Sequence, residues 1–352
     1  MTLPRQFTIA AVLQALFLYC SVAGYAQDEP TDTTAPGRKK PRLEVSGFAQ
    51  FFFKARFDTN GDGATEPSVF RMQRVRISFK GQLTGRLGYD VEIDPRAPTI
   101  SGILRDAFIT LAVIPRHKFR IGQQKTQVGY ENVESSSRLF TVNRSVISEN
   151  IGRGITLRDI GIGLIGKVPM TAKLDFEDAV TVVNGSGMNV QADSTSRKNV
   201  WGRAGLRYNG RDKYVRVGIS GATGDQLEPA DPGPPPVNGF TFDFTRWGAD
   251  LEVDHRLGFL AAEYMHGKNT APASTGASGT TRGYYVLLAV KTPWHVGPLV
   301  RYDKQEAFKR WTLGAFLGRR SDDLRVLLNY EILRDDLGKH DDKLYVWMQT
   351  RF

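Results

Sequence analysis

The sequence predicts an all-β fold, a transmembrane antiparallel β-barrel of about sixteen strands. Three observations lead there: apolar and polar residues alternate with period two from Leu43 to Phe352, charge gathers on one of the two alternating faces, and the connections between runs are short and long by turns.

The first residues stand apart from this pattern. Arg5 precedes an apolar run from Phe7 to Tyr19, and Gly24-Tyr25-Ala26 sets small residues where a signal peptidase cuts, so 1–26 reads as a signal peptide cleaved after Ala26. That run is short for a bilayer-spanning helix, and no other stretch stays apolar for long enough. The single cysteine, Cys20, falls inside it behind the bulky Tyr19, which argues against a lipid-modified terminus and leaves the mature chain without disulfide or thiolate chemistry. Residues 27–42, rich in Asp, Thr, Pro and Lys, read as a disordered lead-in to a barrel domain at 43–352. A formal charge of +10 suggests anionic partners. For an exported chain these are small anions and acidic lipid head groups of the outer membrane rather than nucleic acid.

In the first strand Ala49, Phe51, Phe53, Ala55 and Phe57 share a face, with Gln50, Lys54 and Arg56 on the other. The second sets Arg74, Arg76, Ser78 and Lys80 against Val75, Ile77 and Phe79. The third sets Asp90, Glu92 and Asp94 against Tyr89, Val91 and Ile93, and the eighth carries Arg203 and Arg207. In chain order the runs begin near Leu43, Ser68, Arg86, Ile103, Lys118, Ile155, Ala172, Lys198, Lys213, Gly239, Gly258, Thr281, Gly297, Ala307, Asp323 and Asp341. A dry core does not hold charge this dense, whereas a water-filled lumen does, with the apolar face turned to lipid. The seventh strand breaks the rule: Asp178 falls among outward Leu174, Phe176, Val180 and Val182. A lipid-facing carboxylate costs about 1–3 kcal/mol, so a bulge or a subunit contact is expected there.

Tight turns such as Leu83–Arg86, Pro169–Ala172 and Asp254–Leu257 alternate with long connections at Asp58–Pro67, Val128–Gly154, Asn184–Arg197, Gly221–Asn238 and His266–Thr280. Short periplasmic turns and long outer loops are the asymmetry of an outer-membrane barrel. In the last strand Leu344, Val346, Met348 and Phe352 face outward, Gln349 and Arg351 face inward, and this strand is expected to pair with the first.

The stretch FRMQRVRISFKGQLTGRLGYDVEIDP, then ILRDAFITLAVIPRHKFRIGQQKTQVGYENVESSS and FTVNRS, resembles the amino-terminal half of the phosphate-selective porin O and P family over roughly Ser46–Ser145. The resemblance implies a sixteen-stranded, trimeric, anion-favouring channel whose third outer loop folds into the lumen. Here that loop is Val128–Gly154, with Arg138, Arg144 and Arg153 beside Glu131, Glu134 and Glu149. The family name adds phosphate as a permeant.

By register, Lys54, Arg56, Arg74, Arg76, Lys80, Arg120, Arg203 and Arg207 face the lumen, followed further along by Arg216, Arg246, Arg301, Arg310 and Arg325. Guanidinium groups stay charged and offer forked donors, so they can form an anion path. Alternatively they pair with Asp90, Glu92, Asp106, Asp159, Asp175, Glu177, Asp250 and Glu252 in a non-selective general porin. A third reading is a plugged barrel acting as an adhesin or receptor. Gly161, Gly163, Gly205, Gly218 and Gly314 leave room for a pore. Asp58, Asn60 and Asp62 match the opening of a calcium loop, yet Val69 stands where the bidentate Glu belongs, and an ordinary turn uses the same residues. Tyr208, Tyr214, Trp294, Trp311 and Trp347 read as an interfacial aromatic girdle. The five histidines form no Ser-His constellation, so neither enzymatic activity nor a cofactor is expected.

Overall fold

In the computed structural model of the chain, residues 42–58, 68–97, 99–153, 157–190, 193, 197–228, 240–273, 278–334 and 341–352 are described. The strands are β1 (Arg42–Asp58), β2 (Val69–Gln82), β3 (Leu87–Ile93), β4 (Leu104–Ile114), β5 (His117–Lys125), β6 (Arg158–Pro169), β7 (Leu174–Val183) and β8 (Asn199–Asn209). They continue as β9 (Lys213–Glu228), β10 (Phe240–His255), β11 (Gly258–Thr270), β12 (Gly279–Val290), β13 (Val296–Gln305), β14 (Phe308–Leu317), β15 (Leu324–Arg334) and β16 (Asp341–Arg351). Each pairs antiparallel with the next, and β16 pairs with β1, closing the barrel. Every start lies within three residues of the one the alternation predicts. Closure satisfies the main-chain donors and acceptors that hydrocarbon cannot, and leaves no edge strand.

The barrel is inside out relative to a soluble core. Ile109, Ile219 and Leu288 are exposed on the outer face, while Gln50, Arg301, Arg325 and Gln349 are fully buried inside. Between β1 and β2 the pairing steps from Gln50↔Arg74 to Phe51↔Met72, which makes Gln73 the extra residue of a β-bulge. Gln73 and Arg74 both reach interior partners as a result: Gln73 accepts from Trp347 Nε1 at 2.8 Å and Arg74 donates to Gln50 Oε1 at 3.0 Å.

Two expectations are corrected. Of the two alternatives expected at Asp178, a bulge or a subunit contact, the bulge is absent, because β7 pairs with β6 and β8 without a shift in register. Instead His117, Gly166 and Asp178 stand side by side on β5, β6 and β7. His117 Nε2 lies 3.3 Å from Asp178 Oδ1, across the space that a side chain on residue 166 would fill. The outward carboxylate thus faces an imidazole within the wall, an ion pair when His117 is protonated. Trp347 and Tyr214 also leave the girdle: Trp347 is buried inside against Gln73, and the Tyr214 hydroxyl donates to Glu252. Trp294, Trp311 and Tyr208 are exposed.

The inner faces of the later strands are apolar at many positions. Phe259, Tyr285, Leu287, Phe316 and Trp347 form one buried cluster with Val128, Tyr130, Phe140, Val142 and Ile147, which all belong to the connection between β5 and β6. That connection carries helix α1 (Tyr130–Val133), a 3-10 turn at Ser136–Arg138 and a π-helical turn at Ser148–Arg153. The barrel interior from β9 round to β1 is therefore packed against this segment.

Candidate permeation site

An irregular segment has no ladder of its own, so its main-chain groups need partners from elsewhere. The wall supplies them. Arg325 donates to Ser137 O at 2.8 Å and Leu139 O at 2.9 Å, Arg301 to Asn143 O at 2.8 Å, and Arg310 to Arg144 O at 2.6 Å. Asn329 accepts from Val142 N at 2.8 Å, and Glu263 accepts from the amides of Tyr130 and Glu131, each at 3.2 Å. Arg301, Arg310 and Arg325 thus anchor the segment.

A further anchor comes from a short turn. Arg320, between β14 and β15, reaches inward to Glu252 Oε1 at 2.9 Å, to Glu134 Oε2 and Tyr130 Oη at 3.1 Å each, and to Arg138 O at 2.8 Å. Burial pushes the Tyr130 hydroxyl well above the usual phenol range against the opposing pull of Arg320, so it stays protonated and donates to Glu252 at 2.9 Å. Sequence reading misses Arg320 because turn residues carry no inward or outward phase.

On the opposite side, between this segment and β1–β6, lies a cavity of about 390 Å³. Arg74, Arg76 and Lys80 from β2 line it, as do Arg120 and Lys125 from β5, Arg158 from β6 and Arg144 from the segment. Asp90, Glu92 and Asp106 face them, so seven cations meet three carboxylates, a formal surplus of four positive charges. The pairing is uneven. Arg76 pairs with Glu92 and lies 3.2 Å from Asp94, Arg158 forks onto Asp106 at 2.8 and 2.9 Å, and Lys80 is 3.1 Å from Asp90. Lys125 Nζ lies 3.4 Å from each of the carbonyls of Asn132, Val133 and Glu134 at the end of α1. Arg120 makes no ion pair within 4 Å among the described residues; its guanidinium lies over the Phe108 ring, 4.9 Å from the centroid.

The cavity therefore brings together Arg74, Arg76, Lys80, Arg120 and Arg144 from the sequence candidates, and adds Lys125 and Arg158. Four others are placed elsewhere. Lys54 is buried and Arg56 is bound to Asp341 at 2.7 Å, both on the far half of β1. Arg203 pairs with Asp250 and fills the space over Gly205 and Gly218 that the sequence left for a pore. Arg207 donates to Asn209 at 3.1 Å and stacks on Tyr214. Asp159, read as a lumen acid, accepts from the amides of Gly185 and Gly187 at 2.8 and 3.2 Å in the next outer loop. Arg138 is half exposed, 3.6 Å from Glu134. The side chains of Arg153 and Asp58, together with Asn60 and Asp62, lie outside the described residues.

Residues 44–231 match the family model described as phosphate-selective porin O and P. No curated protein matches the sequence. Among solved structures, the chain resembles the anion-selective porin from Comamonas acidovorans with a TM-score of 0.59 and 14% identity, covering 89% of this chain and 100% of that one. It resembles Salmonella typhi OmpF in complex with daunomycin with a TM-score of 0.60 and 16% identity, over 88% and 97% of the two chains. For the trimer form of Vibrio cholerae OmpT the TM-score is 0.55 at 9% identity, over 89% and 99%. At these identities the structural likeness concerns the barrel alone.

Proposed function

Since this chain belongs to the phosphate-selective porin O and P family and is a porin of the bacterial outer membrane, we propose that its channel favours small anions and that its selective passage is the cavity between the inward segment and β1–β6. The surplus of four positive charges around that cavity carries the reading. Lumen charge sets selectivity only where it is uncancelled, and Arg120 makes no ion pair within 4 Å among the described residues. The β13–β15 part of the interior offers little to an ion, because Arg301, Arg310 and Arg325 are spent on loop carbonyls. Small anions, phosphate among them, are the proposed permeants, and a homotrimer is the proposed assembly.

The test is the zero-current potential of the purified protein in a planar bilayer under a potassium chloride gradient. An anion-directed potential is expected, and a cation-directed one removes the proposal. Cross-linking in native membranes gives the oligomer, with a trimer expected and a monomer overturning that part alone.

A further inference from the structure

The cationic cavity has a second character that its charge conceals. Phe48, Phe108, Val133, Leu157 and Ile165 line it together with the arginines and lysines. Phe108 is the base on which Arg120 lies, and the registered neighbours of Phe108 across the wall are Gly122 and then Gly161, which carry no side chain. A phosphate needs donors all round to replace its hydration, and these five side chains supply none. Three of the cations are moreover already engaged, by Glu92, Asp106 and Asp90. A ligand with its charge at one end and an apolar body at the other meets both walls at once. A cavity of about 390 Å³ is roomy enough for a small organic ligand, and here the cations can take its charge while the five apolar side chains take its body.

Building on the anion-channel reading, we propose that the passage holds a binding site for small aromatic carboxylates, the carboxylate on Arg120 and the ring against Phe108 and its apolar neighbours, in preference to inorganic phosphate. Arg120 has its face committed to Phe108 and its N–H rim left to fork onto a carboxylate.

The experiment uses the purified protein in planar bilayers bathed in chloride, with benzoate or inorganic phosphate added at equal concentration. Benzoate is expected to interrupt the chloride current with an apparent affinity about tenfold above that of phosphate, and Phe108→Ala to weaken the benzoate block about tenfold. Phe108→Leu, which keeps apolar bulk but loses the ring, guards against a folding defect and is expected to weaken it in between, with strand circular dichroism reporting the fold. If phosphate blocks an anion-selective channel as well as benzoate does, the inference fails while the anion reading stands. Benzoate block unchanged in both Phe108 variants also overturns it. A cation-selective or silent channel removes the underlying reading as well.

Discussion

Phe352, the last residue, and Gly47 exchange main-chain hydrogen bonds, Gly47 N to Phe352 O at 2.9 Å and Phe352 N to Gly47 O at 3.2 Å. The Phe352 ring occupies the place where a Cβ on residue 47 would stand. The seam of the barrel is therefore finished by a glycine that makes room for a terminal aromatic. Gly47→Leu puts a side chain into that ring and against Arg76 O, an overpacking that costs about 1–3 kcal/mol. Gly47→Leu and deletion of Phe352 are both expected to lower the fraction of protein assembled in the outer membrane, measured by quantitative blotting of membrane fractions. Channels that do assemble should conduct as before, since neither residue lines the cavity; a changed conductance at normal assembly would contradict this.

Arg320 joins a turn at one barrel mouth to the inward segment. Arg320→Ala leaves Glu134 and Glu252 buried with a partner removed, at a cost of about 3 kcal/mol, softened at Glu252 by Arg216 at 2.9 Å. The segment should loosen, giving larger and noisier single-channel currents than Arg320→Lys. Identical current traces for the two variants would show that the arginine does not hold the segment.

Anion preference should fall with Arg120→Gln and with Arg74→Ala plus Arg76→Ala, but not when the Arg203–Asp250 pair is removed together by Arg203→Gln with Asp250→Asn, which leaves the net charge of the lumen unchanged. One unit charge about 8 Å from an ion in water is worth about 0.5 kcal/mol, favourable for an anion and unfavourable for a cation, so each lost cavity charge should reduce the anion-to-cation permeability ratio about sixfold. Reversal potentials measured for the set decide the matter, and equal effects at Arg120 and at the Arg203–Asp250 pair would sink the placement of the passage.

On the outer wall, His117 and Asp178 are expected to be coupled. His117→Leu or Asp178→Leu alone leaves a polar group near lipid without its partner and should destabilise by about 1–3 kcal/mol, whereas the double variant should be close to neutral. Urea unfolding midpoints around this double-mutant cycle give the coupling directly. Additive losses would mean that the 3.3 Å approach contributes nothing.

Part of the site was readable from single strands. Arg74, Arg76, Lys80 and Arg120 follow from alternation alone, because a period of two assigns every strand residue to one of two faces. Arg203 and Asp250 have the same inward phase, yet which inward charges cancel depends on neighbours 47 positions apart in sequence. A local signal for the seat of the inward segment was also present: β12 reads Tyr284-Tyr285-Val286-Leu287-Leu288-Ala289-Val290, apolar on both faces, the mark of a strand that has lipid outside and a dry core inside.

By itself the sequence determined the barrel, its strand starts and the direction of its polar face, since each is enforced residue by residue through backbone pairing and the two solvents on either side of a single sheet. The closing partner of Phe352 could be named as the first strand, but the glycine that receives its ring is known only from the closed structure. Only the tertiary structure decided where the segment after β5 lies. It covers the arginines of β13–β15 and leaves those of β2, β5 and β6 around an open cavity. The reason is physical: a charge in a lumen acts on a passing ion only if no carboxylate or carbonyl has already claimed it, and those claims are made by residues distant in sequence.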